Sequence, residues 1–441
     1  MLRRAMRRSA AVWIVALGLA AAGCGATHGG DQAKVSAGPR PAANRQVGAS
    51  VSPSGGLNPG RLASASAAPS ADGEVPADDG GDRSLVRQLG PGLPQAGPHP
   101  PVTAGPAVPG QRPSAQPNLL AGMTGSVSPA LADIPARVYV PNSDAHTITV
   151  IDPATLTVIG TFATGTVPHH ITPSWDLTKL YVNNTTANTL TVIDPKTGKP
   201  GDVINVVDPY NLYFTPDGTK AIVVAERLQR LDYRDPKTWA LIKSVPIPGS
   251  GVDHMDFSAD GRYVIASDEF SGHVVKIDNQ TMEVAGQVSV GGLPVDVKMS
   301  PDGSVYFVTN QGRHGVSVLD ANTLAELAFL PTGKGAHGLN YSRDTKRLFV
   351  SNRLDGSISV IDPATRTVTD TWKVGGSPDM LQVSTDGTQL WASNRFNGSV
   401  SVIDTSDGHV IKTIATGAGA HGICLFPQPG RYSVGHNGVY R

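Results

Sequence analysis

Residues 348–387 read LFVSNRLDGSISVIDPATRTVTDTWKVGGSPDMLQVSTDG, and the fold follows from that stretch. Leu348 to Ser351 alternates and is rich in β-formers. Asn352 to Gly356 is turn chemistry, and Ser357 to Ile361 alternates again. Asp362 to Thr365 makes a second turn, with Asp362 suited to an Asx-type bond and Pro363 fixing φ. Thr367 to Val374 reads as a third strand, broken at Gly375 to Pro378. Met380 to Val383 is a fourth, closed by Ser384 to Gly387. Short alternating runs bounded by such turns predict antiparallel strands.

The phrase repeats. The aspartates that end its VID segment, or the nearest match to it, are Asp152, Asp194, Asp235, Asp278, Asp320, Asp362 and Asp404, at spacings of 42, 41, 43, 42, 42 and 42 residues. A unit of this size cannot bury its apolar surface alone and must stack on its neighbours. Four strands repeated at this period predict an all-β, seven-bladed β-propeller over residues 136–430. A helical reading fails, because 50 Gly and 35 Pro interrupt any 3.6-residue pattern. The chain begins at Arg137 in what matches the second strand of a blade and leaves through His421 to Phe426, which matches the first. The C-terminal strand is therefore expected to complete the first blade and remove the open edges of the ring. Residues 431–441 fall outside this accounting and read as a C-terminal extension.

The segments YVNN (181–184), FVSN (349–352) and WASN (391–394), each followed by VID, resemble the YVTN-repeat β-propellers. The resemblance covers residues 137–430. Blade three departs from it, with IVVA at 222–225 and YRD at 233–235. Members of that family include surface-layer and periplasmic proteins, and related propellers include lactonases and antibiotic lyases. The resemblance implies an exported binding scaffold more than any one reaction.

The N-terminal sequence points to export independently. Arg3, Arg4, Arg7 and Arg8 precede an apolar run from Ala10 to Ala22, of signal-peptide length and short for a membrane span. Ala21-Ala22-Gly23-Cys24 resembles a bacterial lipobox, whose cysteine is lipidated and becomes the first mature residue. The alternative is an ordinary secretory signal cut nearby, and both readings export the chain. Residues 24–135 are rich in Ala, Gly, Pro and Ser, without sustained periodicity. They are expected to form a disordered tether, since they bury too little apolar surface to offset ordering entropy. Residues 1–23 carry four arginines and no acids, leaving 32 basic and 36 acidic side chains. That balance gives no electrostatic footprint for nucleic acid. Only Cys424 remains besides Cys24, in the apolar Ile423 to Phe426, and reads as a small buried residue.

Chemistry in a propeller gathers at one mouth of the central channel. Counting back five residues from each turn after an inner strand gives His169, Tyr210, Asp253, Val295, His337, Asp379 and His421. Counting back four gives His170, Asn211, His254, Asp296, Gly338, Met380 and Gly422. Five of the 12 histidines occupy these two rings. Converging imidazoles and carboxylates suit a divalent transition metal or general acid–base work, with His169, His254, His337 and His421 as the candidate ligands. The competing reading makes these histidines caps of the inner strands, bonded to neighbouring blades. The loops between second and third strands add Arg227, Arg230, Asp268, Glu269, Phe270, Arg313, His314, Arg353, Arg395 and Phe396. Arginines there clamp anions bidentately or are simply solvated. No Walker loop, G-x-S-x-G elbow or HExxH is present. The expectation is a membrane-tethered monomeric propeller whose mouth binds an envelope protein, a polymer or a small ligand, with no cofactor certain. The alternative is a metal-dependent lyase or lactonase.

Overall fold

The computed structural model describes residues 118–436. They form seven four-stranded antiparallel sheets. Blade six is typical: its strands are Ala336–Tyr341, Leu348–Asn352, Ser357–Asp362 and Thr367–Lys373, from the axis outward. Blades two to five and blade seven cover residues 168–205, 211–246, 252–289, 294–331 and 378–415. Blade one closes the ring. Its inner strand is Cys424–Phe426, paired antiparallel with Arg137–Asn142 in the register Arg137 to Phe426 and Tyr139 to Cys424. The chain therefore forms a seven-bladed β-propeller.

Each element of the repeat has a structural task. The VID aspartate accepts backbone N–H groups of the following turn, as Asp362 does from Ala364 at 2.8 Å. In the turn after the inner strand, Ser300 donates to Asp302 at 2.6 Å, and Asp302 accepts from the Ser304 amide at 3.0 Å. The asparagine ending the second strand binds the third: Asn352 Nδ2 donates to Ser357 Oγ at 3.1 Å and Ser359 Oγ at 3.0 Å. Blade three has Ala225 at that position. There Asp208 holds the loop instead, accepting from Arg227 Nε at 2.7 Å and from the Leu228 amide at 3.1 Å.

The apolar core is itself a ring. Seven clusters of buried side chains lie one between each pair of adjacent blades, for example Phe349, Leu381, Leu390 and Ile403 between blades six and seven. No blade owns a core, which is why the period in the sequence implied stacking.

Two segments depart from expectation. Residues 118–135 read as tether by composition, yet the chain is docked from Asn118 onward. Leu119 N–H donates to Pro301 O at 2.9 Å. Leu120 and Met123 are buried with Phe307 and Val350, and Leu131 and Ile134 pack with Tyr139. A few apolar residues within a Pro- and Ser-rich stretch suffice to anchor it. Residues 431–436 are likewise part of the fold: the Ser433 amide donates to Trp175 O, Phe214 N–H donates to Val434 O at 3.1 Å, and Gly435 bridges Tyr213. The tail rises into the channel beside the inner strand of blade three. The signal-like segment, Cys24 and most of the expected tether lie outside the described residues.

Candidate functional site

Strict alternation would send neighbouring side chains of an inner strand to opposite faces. The two rings escape that rule through β-bulges. In blades two, four, five, six and seven the register between first and second strands breaks at these two positions, as between Ala336 and Leu339. A bulge re-aims side chains and leaves its own N–H groups unpaired. The hydroxyl of the second strand repairs this. Ser351 Oγ accepts from the Gly338 amide at 2.7 Å and donates to Asp379 O of the next blade. Ser267, Thr309 and Ser393 do the same for His254, Asp296 and Met380. The Ser or Thr of the repeat phrase is thus a blade-to-blade fastener. Gly338 and Gly422 serve close approach. A Cβ on Gly338 would lie 2.5 Å from Asp379 O, and one on Gly422 would lie 2.7 Å from His169 O.

The upper ring lines a cavity of about 340 Å³ at the mouth. His169, Tyr210, Asp253, His337 and His421 form its floor, and Arg227, Glu226, Glu269, Phe270, Arg353 and Arg395 stand around it. Every blade except the fifth contributes. The His169 and His421 ring centroids are 4.9 Å apart, and His169 lies 4.8 Å from Tyr210. His169 Nδ1 shares a hydrogen bond with Thr185 Oγ1 at 2.9 Å.

Asp379 is the hub beneath this floor. It is wholly buried. Arg353 Nε donates to Asp379 Oδ1 at 2.8 Å, and Nη2 also reaches it and His337. His337 Nδ1 is 3.1 Å from Oδ1, and His421 Nδ1 is 2.8 Å from Oδ2. Arg353 Nη1 donates to Gln311 at 3.3 Å, and Gln311 donates to Glu269 at 3.1 Å. Burial, reinforced by the Arg353 charge, holds His337 well below the usual imidazole value. So His337 and His421 each stand against a carboxylate of a neighbouring blade, while each still lines the cavity.

One layer down, His170 and His254 meet His436 from the C-terminal tail. Ring centroids are 4.3 Å apart for His170 and His436, 4.7 Å for His254 and His436, and 5.0 Å for His170 and His254. All three are buried. One ring nitrogen of each lies within 4.8 Å of the others. Burial and the neighbouring imidazoles hold His170 well below the ordinary value, and burial with His170 does so for His436. Burial opposes charge on His254 too, but Asp253 and Asp296 outweigh it and raise that ring. His436 was invisible to repeat-based reasoning, because it lies beyond the last repeat.

The arginines separate. Arg353 is 2% exposed and held by Asp379, so it is a buried structural cation rather than a free clamp. Arg395 lines the cavity. Arg313 does not reach it: its guanidinium lies 4.0 Å over the Phe329 ring and pairs with Glu326 at 2.7 Å, on the outer strand of its blade. Cys424 is buried, which pushes its thiol up to about 12, so it is no nucleophile at neutral pH.

Asp268 stands where most blades have asparagine, and burial pushes its carboxyl up to about 6. Unfolded, the group ionises near about 3.9. Between those values the folded state holds the extra proton, so stability falls as pH rises from about 4 to 6 and stays lower above. Asp268→Asn should therefore raise the melting temperature at about pH 8 and leave it nearly unchanged at about pH 4. Equal gains at both pH values would contradict this account.

Comparison with known proteins agrees with the architecture. A functionally unknown protein from Desulfotomaculum acetoxidans is 17% identical, with a TM-score of 0.57, over 66% of this chain and 98% of its own. Hydrazine synthase of Kuenenia stuttgartiensis is 20% identical, TM-score 0.55, over 68% of this chain and 99% of its own. A candidate 6-phosphogluconolactonase from Bacteroides fragilis is 16% identical, TM-score 0.56, over 68% of this chain and 100% of its own. At such identities the likeness is one of fold. No curated protein matches the chain. The profile of one family spans residues 103–430, more than the whole ring of blades, and the chain belongs to the YNCE-like beta-propeller family.

Proposed function

We propose that this is an exported, lipid-anchored binding propeller that takes a small polar ligand into its channel mouth. The observation that carries the reading is the 340 Å³ cavity, concave and floored by His169, Tyr210, Asp253, His337 and His421. Its size and convergent polar groups are those of a small-ligand site, and a flat protein-docking face would not need them. Export and anchoring rest on the basic-apolar N-terminus and Cys24. Palmitate labelling should be lost in Cys24→Ala, and labelling that persists would remove the anchor from the proposal.

A thermal-shift panel of sugar acids, their phosphates and the corresponding lactones tests the mouth. At least one compound should raise the melting temperature, and His169→Ala with Arg395→Ala should cancel the shift. A panel without a hit, or a shift indifferent to both substitutions, would count against a mouth site.

One observation favours a second reading, that of a lactonase or lyase. Asp379 Oδ2 is 2.8 Å from His421 Nδ1, so a buried carboxylate orients an imidazole that faces the cavity, as a general base requires. Release of acid from the panel's lactones, abolished in His421→Ala, would decide for it.

A further inference from the structure

We infer that His170, His254 and His436 form a binding site for one divalent transition-metal ion on the channel axis, completed only when the C-terminal tail is in place. The first support is orphaned polarity. Both ring nitrogens of His170 and of His436 are buried without a hydrogen-bond partner. Buried polar atoms are rarely left so, and a bound cation would satisfy these nitrogens. The second is convergence: the three donor atoms lie within 4.8 Å of one another. Metal–nitrogen distances of about 2.0–2.1 Å ask these rings to close inward by roughly an ångström. Neutral imidazoles suit zinc, copper, nickel and cobalt and not calcium or magnesium.

The surroundings fit a cation. Asp253 Oδ1 lies 2.6 Å from His254 Nδ1, and a carboxylate behind a ligating imidazole strengthens it as a donor. Lys298 is also near, 3.5 Å from Asp296. Asp253 and Asp296 together against Lys298 leave one net negative charge beside the three rings. The tail is shaped for delivery of His436, since a Cβ on Gly435 would come within 2.3 Å of Tyr213. Three protein ligands leave a coordination position for water or a ligand. The site does not depend on the mouth binding anything.

The test uses the untagged full chain, stripped with chelator and titrated with Co(II) and Zn(II). One equivalent of Co(II) should give a visible ligand-field spectrum and raise the melting temperature. His436→Ala should weaken binding by more than about a hundredfold, and Asp253→Asn by about ten- to a hundredfold. His436→Cys should restore binding and add a thiolate-to-cobalt charge-transfer band, which shows that the tail supplies the ligand and that the variant is folded. The inference is overturned if the native chain takes up no ion, or if His436→Ala holds Co(II) as tightly as the native chain. The second outcome would place the ion elsewhere, for example at the half-buried Asp404 with the exposed Asp407 and His409.

Discussion

Ending the chain at Ala418 should abolish cooperative unfolding of the whole propeller rather than merely remove one strand from it. The truncation deletes Cys424–Phe426, the inner strand of blade one. It thereby exposes an edge of the strand Arg137–Asn142 and opens the ring between blades one and seven. Ile423 and Leu425 are lost from the cluster shared with blade seven, and Phe426 from the cluster shared with blade two. Val434 is lost from the core between blades three and four. Burying one such side chain contributes about 1.5–3 kcal/mol. Four of them amount to roughly 6–12 kcal/mol, against a total stability of about 5–15 kcal/mol for a domain. Urea unfolding of the truncated chain should show no native baseline, or a broad transition with a reduced m-value. A chain ended at Gly430 keeps the closing strand and loses only the tail, so it should still unfold cooperatively at a lower midpoint. If the Ala418 truncation melts like the full chain, closure by the C-terminal strand does not hold the ring together.

That closing strand was readable because the repeat phase was readable. Arg137 enters at the second strand and Phe426 ends at the first, so the remainder of the period had to be shared. The same phase placed the candidate rings. Period alone could not say that the histidines of both rings meet around the axis, because consecutive strand residues normally alternate. The bulge that makes it so, between Ala336 and Leu339 for instance, depends on the Ser and Thr hydroxyls acting across blades. His436 and Leu120 carry no repeat signal, and single side chains docking on a finished surface leave no periodic trace. Arg313 occupies a repeat position but has an aromatic neighbour, Phe329, that draws it outward. Asp379 was legible as a ring member, yet its place as the shared partner of an arginine and two histidines depends on geometry between three blades.

Asp379→Ala should cost about 3–5 kcal/mol, the range for breaking a buried ion pair from one side. Asp379 is fully buried and Arg353 is 2% exposed, so water cannot replace the carboxylate that accepts from Nε and Nη2. The same deletion leaves His337 and His421 without the oxygen atoms their Nδ1 atoms face. Asp379→Asn keeps the volume and one acceptor but removes the charge, and should cost less than the alanine. Arg353→Met combined with Asp379→Leu should recover much of the loss, since apolar replacement of a whole buried pair is often neutral. Urea denaturation of the single and double variants forms the cycle, and the coupling energy is its readout. A cost below about 1 kcal/mol for Asp379→Ala would mean that the pair behaves as an exposed one. The hub would then contribute to the charge of the cavity floor and not to the joining of blades six, seven and one.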